Sequence, residues 1–134
     1  MKSQSKSKRE KIIKIQKRLI AIISVILAIT LIISFNNYKK TTKKIEIKES
    51  ARELILTAEV VEINEGIKFD NSDTIADIKN EGGDKLEAIK KYKDIDTFNK
   101  IEVLTLEDAK KIINNEVDFI INKEGKFLRI EINN

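Results

Sequence analysis

Three pairs of carboxylates are close enough along the chain to suggest chemistry: Asp70 with Asp73, Asp94 with Asp96, and Glu107 with Asp108. Two neighbouring carboxyls can divide acid and base duties when their surroundings push their proton affinities apart. They can also hold calcium, but a helix-loop-helix calcium loop needs oxygens at alternating positions, a central glycine and a distal glutamate. The run Asp70-Asn71-Ser72-Asp73 lacks that layout and reads as a solvated loop. Glu81-Gly82-Gly83-Asp84 is not a phosphate loop, because no Lys-Ser or Lys-Thr follows its glycines. The chain contains neither histidine nor cysteine. The commonest general base is therefore missing, along with thiolate nucleophiles, thiolate zinc sites and disulfides. Serine and threonine hydroxyls are present but have no conventional base to activate them. An enzyme is not expected, and no cofactor, metal site or small-molecule substrate is indicated.

The elements that would position any such residues are set by the charge and hydropathy of the chain. Of 134 residues, 26 are basic and 22 acidic, for a net charge of +4. That total hides a strong asymmetry. Residues 1–18 carry eight Lys or Arg against Glu10 alone, leaving 18 basic and 21 acidic residues in 36–134. The foldable portion is thus slightly acidic. It has no basic stripe interleaved with aromatics, which argues against a nucleic-acid partner.

Residues 19–35, LIAIISVILAITLIISF, form a run of seventeen without a charge, glycine or proline. As a helix at about 1.5 Å per residue the run reaches roughly 25 Å, slightly less than a hydrocarbon core of about 30 Å. Lys17, Arg18, Lys39 and Lys40 can snorkel to complete the span, and Tyr38 sits where an interfacial aromatic belongs. A cleaved signal peptide shares the charged-then-apolar order. This run is longer than a usual signal core, however, and ends in Ile33-Ser34-Phe35-Asn36 rather than a small-x-small pattern. It reads as a retained single-pass anchor. Eight basic residues precede it and four follow closely (Lys39, Lys40, Lys43, Lys44), which places the N-terminus in the cytoplasm and the C-terminal part outside. Ala21, Ser24 and Ala28 form a possible helix-packing seam of small residues.

Beyond the span, Ala51, Leu54, Ile55, Ala58 and Val61 recur at helical spacing and mark a stripe for packing on a head. Ile45 and Ile47 alternate, which would also suit an extended segment, but helix is favoured through to a stop at Gly66. Residues 67–83 read as connection with a short turn of helix at 74–79. Asp84 is expected to cap a helix over 85–92 with Leu86, Ile89 and Tyr92 on one face. Residues 101–104 read as a brief strand. Thr105 then caps a helix through the amide of Asp108, with Ala109, Ile112 and Ile113 buried and Asn114-Asn115 at its end.

Residues 117–122 and 127–132 are β-prone runs around Lys123-Glu124-Gly125-Lys126, where Gly125 supplies a positive φ for a hairpin turn. Alternation in the second run predicts that Leu128, Ile130 and Ile132 face inward and dock on the stripe at 51–61. The expected fold class is α+β, a long N-terminal helix against a small head with short helices and a C-terminal hairpin. Its divisions are a basic tail (1–18), a span (19–35), an amphipathic helical extension (36–66) and an extracytoplasmic head (67–134).

A basic N-terminus, an apolar span running unbroken into an amphipathic helix, and a small head ending in a hairpin together resemble a type IV pilin or pseudopilin. The segments Ser34-Phe35-Asn36-Asn37-Tyr38-Lys39-Lys40 and Ala51-Arg52-Glu53-Leu54-Ile55-Leu56-Thr57-Ala58-Glu59 are similar in character to the exit of the pilin helix from its apolar half. The resemblance covers architecture and implies a structural subunit of a pilus or type II secretion assembly, self-associating through its helix. No glycine precedes the apolar run and no glutamate lies within it, so no pilin functional residue carries over. The alternative expectation is a bitopic accessory subunit of a division, sporulation or secretion complex, binding a protein partner through its head.

Overall fold

Between Lys2 and Glu65 the sequence contains no glycine or proline, and in the computed structural model it forms one helix, α1(Lys2–Glu65). Residues 2–132 are described, so the first residue of the basic tail and the last two of the head lie outside the described residues. The helix stops at Gly66, whose φ of 69° is the left-handed conformation of a helix C-terminus and whose N–H bonds the Glu62 carbonyl at 3.0 Å. The chain divides after Lys39 into two units. In the first, every residue of α1 from 5 to 39 is exposed.

The second unit has its own hydrophobic core. Ile47, Ala51 and Leu54 of α1 meet Ile75 and Ile78 of α2(Ile75–Glu81), Ile89 of α3(Asp84–Tyr92), and residues of every later element. Thr74 caps α2, its hydroxyl accepting from the Asp77 amide at 3.1 Å. The residue ahead of α3 is Gly83, at a positive φ of 80°, and it makes no side-chain cap. Asp84 is therefore the first helical residue and not the cap. Its carboxylate still favours that end of the helix through the backbone dipole.

Residues 101–104 do not form a strand. A 3-10 helix runs Ile95–Ile101, started by Asp94, whose side chain accepts from the Asp96 amide, and the following turn is closed by the Leu104 amide on the Ile101 carbonyl at 3.0 Å. Phe98, Ile101 and Leu104 are all fully buried. Their spacing of three matches the three residues per turn of a 3-10 helix, which aligns all three toward the core. Thr105 then caps α4(Leu106–Ile113), accepting from the Asp108 amide at 3.1 Å, and Leu106, Ala109 and Ile112 are buried.

The C-terminus is an antiparallel hairpin of β1(Phe119–Ile121) and β2(Phe127–Ile130), with Gly125 of the turn at φ 80°. The register pairs Phe119 with Ile130 and Ile120 with Arg129, then jumps to pair Ile121 with Phe127. Leu128 is the extra residue of a bulge. Such an insertion reverses which face the following alternation addresses. Phe127 is consequently buried beside Phe119, with ring centroids 6.2 Å apart, while Leu128 is 51% and Ile132 82% exposed. The expected inward trio of Leu128, Ile130 and Ile132 is corrected to Phe127 and Ile130. The broad α+β description holds: a long N-terminal helix, short helices and one small hairpin.

Candidate functional site

The first unit contains the feature with the plainest physical consequence. Every residue of the run 19–35 is exposed, and α1 is the one helix among the described residues long and apolar enough to cross a membrane. A helix that is apolar all round needs an apolar surrounding. Its hydroxyls are already satisfied within the helix: Ser24 donates to the Ile20 carbonyl at 2.8 Å and Thr30 to that of Ile26 at 2.9 Å. Backbone and side chains therefore present no unmet polar demand of the kind hydrocarbon penalises. At the far end of the run the Lys39 ammonium lies 4.7 Å from the centre of the Phe35 ring. Ala21, Ser24 and Ala28 are exposed together with the rest of this segment.

In the second unit, Ala51, Leu54 and Val61 are buried, and Ile55 and Ala58 are half-buried. Ile55 and Ala58 line a shallow depression with Phe69 and Leu106. Sequence reasoning left out Ile47, which has no exposure at all. Its signal was present: Ile47, Ala51, Leu54, Ala58 and Val61 follow one another at intervals of four, three, four and three. Thr57 is also buried, its hydroxyl donating to the Glu53 carbonyl at 2.7 Å. The hairpin's polar contacts with α1 fall N-terminal to the stripe, at Lys43 on the Lys123 carbonyl (3.5 Å) and Lys44 on Asp118 (3.0 Å).

The carboxylate pairs serve the fold. Asp73 accepts from the Asp70 amide and from Lys85, each at 2.8 Å, with Asp70 3.7 Å from the same ammonium. Asp94 starts the 3-10 helix, and Glu107 lies 3.4 Å from Lys111 one turn along α4. Among the described residues no cluster of acidic side chains is arranged to hold a metal ion. Other clamps join elements distant in sequence: Lys79 holds Glu102 at 2.8 Å, Lys100 holds Glu46, and Glu65 accepts from both Lys91 (3.1 Å) and Tyr92 (3.0 Å).

Three of these groups have displaced proton affinities. The Asp73 hydrogen bond raises Lys85 above its ordinary 10.5. Lys91 and then Tyr92 hold Glu65 below 4.5. The Phe119 amide and then Lys44 hold Asp118 below 3.8. A depressed carboxyl adds stability above its unfolded value, and that stability is lost as pH falls through the folded value. The second unit is therefore expected to lose stability as pH drops below about 4.5, and Asp118→Asn should blunt part of that dependence. With its side chain 57% exposed, Asp118 is screened by solvent, so its pair contributes at most about 1 kcal/mol. A melting temperature that falls identically with pH in wild type and Asp118→Asn would refute the assignment. Lys85 behaves oppositely: its contribution is intact below 10.5 and disappears only as pH rises through the higher folded value.

Neither a family model, nor a curated protein, nor a solved structure matches this chain.

Proposed function

We propose that this chain is a single-pass membrane-anchored interaction protein whose basic N-terminus is cytoplasmic and whose folded C-terminal unit works outside the cytoplasm. One observation carries the reading: seventeen consecutive uncharged and predominantly apolar residues of α1 are all exposed. The orientation is supported by the eight basic residues before the run against four shortly after it. A binding rather than catalytic role is supported by the lack of histidine and cysteine and by the use of the carboxylate pairs as caps and clamps. Protease added to cells stripped of their wall should digest the folded unit, and protease added to inside-out vesicles should leave it intact. The reverse pattern would invert the proposed topology.

A pilin-like subunit is the finer form of this reading, and the back of α1 favours it. Ile45, Leu56, Val60 and Ile63 are exposed and fall on the helix face opposite Ile47, Leu54 and Val61 at 3.6 residues per turn. A helix packing against neighbours would use such a face. The mass of the N-terminal peptide from membrane-extracted protein separates the two forms. Loss of a leader near residue 18 supports the pilin-like subunit, and an intact basic tail supports a bitopic accessory subunit that binds a protein partner through its head.

A further inference from the structure

We propose that the outer edge of β2 pairs with the same edge of a second copy of this chain, joining two hairpins into a four-stranded antiparallel sheet about a two-fold axis at Ile130. The surface lies wholly within the folded unit, so the inference stands apart from the membrane reading above.

The edge is open. The hairpin is a two-stranded sheet, and such a pair leaves one row of backbone groups on each strand without a ladder partner. Which groups these are follows from the hydrogen bonds that do form. Past the end of β2 the Glu131 amide still donates to the Asp118 carbonyl, at 2.9 Å. In an antiparallel ladder that bond makes Phe119 and Ile130 a non-hydrogen-bonded pair, so the N–H and C=O of Ile130 point away from β1. Among the described residues no backbone group of another element meets them.

The side chains along this edge complement themselves. When Leu128-Arg129-Ile130-Glu131-Ile132 is laid antiparallel on its own copy about Ile130, Arg129 of each chain stands opposite Glu131 of the other, and Leu128 opposite Ile132. The outward backbone of Ile130 makes it and its counterpart a hydrogen-bonded pair. Arg129 and Glu131 then fall in the non-hydrogen-bonded pairs, where Cα atoms approach to about 4.5 Å and side chains interact most closely. Both are exposed, and among the described residues no carboxylate pairs with Arg129. Leu128 and Ile132, exposed in the single chain, cover one another across the junction. Moving the axis by one residue sets Arg129 against Arg129 or Glu131 against Glu131, and like charges directly opposite destabilise a sheet. The charge pattern therefore selects both the register and the partner, because an identical edge is the one that answers it.

Sedimentation equilibrium of the full-length chain in density-matched detergent tests the contact. Wild type is expected to self-associate. Arg129→Glu and Glu131→Arg each turn both facing pairs into like charges and should weaken association about tenfold. An equimolar mixture of the two variants restores opposite charges at both positions and should regain wild-type association. Register is read by disulfides, since the chain has no native cysteine. Chains carrying Arg129→Cys and Glu131→Cys, made distinguishable by size, should cross-link to each other in preference to themselves, because only the mixed pair brings two sulfurs directly opposite. A monomeric wild type overturns the inference and leaves an extended segment of another protein as the occupant of the edge. Association indifferent to the charge reversals, a mixture that restores nothing, or self cross-linking as strong as mixed cross-linking overturns it too, and moves any contact between copies elsewhere, the exposed run of α1 included.

Discussion

Ile47→Asp should unfold the C-terminal unit, whereas Ile45→Asp, two residues away, should leave it folded. The two isoleucines differ in little but direction, since Ile47 is completely buried and Ile45 is 51% exposed. Replacing Ile47 removes a large side chain from a packed core, worth about 2–5 kcal/mol, and places a carboxylate where none of the neighbouring core residues can pair with it, worth several more. A domain of this size has about 5–15 kcal/mol in total, so the combined loss is comparable to everything holding it together. Ile45→Asp adds a charge to a surface that is already charged, a change within about 0.5 kcal/mol. The measurement is thermal unfolding of a fragment spanning 40–134, whose core draws only on residues of that unit. Equal melting temperatures for the two variants would contradict the helical phase of this segment. As a milder check, Ile47→Val should cost about 1 kcal/mol.

The same pair shows how much of the fold was legible in the sequence. Ile45 and Ile47 look like strand alternation when taken alone, and the absence of glycine or proline before Gly66 outweighs that local signal. Continuing the stripe four residues back from Ala51 reaches Ile47, a step hidden by its alternating neighbour. Caps were legible where a hydroxyl is the only short polar side chain at the right distance: Thr105 before Asp108 behaves as expected. Asp84 did not, because two consecutive glycines with positive φ, Gly82 and Gly83, turn the chain before α3 and leave the aspartate already inside it.

Two features had weaker local signals. The spacing of three among Phe98, Ile101 and Leu104 is a 3-10 pattern, but the apolar residues Ile101, Val103 and Leu104 also suit a strand, and a lone strand has nothing to pair with. Pairing is a tertiary fact that no short window contains. The bulge at Leu128 is similar. Strict alternation assigns one set of side chains to the core, and the extra residue between Phe127 and Arg129 exchanges the sets near the turn. What decides it is the match between Phe119 and Phe127, which lie on different strands. The packing of the hairpin turn was invisible for the same reason, since it depends on Lys43 lying over Gly125, 82 residues further along the chain.

Placing arginine at both Leu27 and Ile29, in the middle of the apolar run, should abolish membrane integration, while one such change alone should only weaken it. The run contains twelve Leu, Ile, Val or Phe residues, each favouring insertion by about 0.3–0.6 kcal/mol, or roughly 4–7 kcal/mol together. An arginine at the centre of a span costs about 2.5–3.5 kcal/mol and also forfeits the side chain it replaces. One substitution therefore leaves a net preference for the bilayer, whereas two cost about 6–8 kcal/mol and cancel it, shifting the equilibrium by at least about four orders of magnitude. Alkaline carbonate extraction should leave wild type and a Leu27→Ala, Ile29→Ala control in the membrane pellet and release the double-arginine protein. Basic residues at 1–18 would still allow it to touch anionic membranes, but contact of that kind is stripped by the extraction. The folded unit supplies the internal control, because none of its core residues lies within the run. Released protein that keeps a wild-type melting transition would show that the anchor and the fold are separable. A double-arginine variant that stays in the carbonate pellet would instead mean that something other than residues 19–35 holds the chain at the membrane.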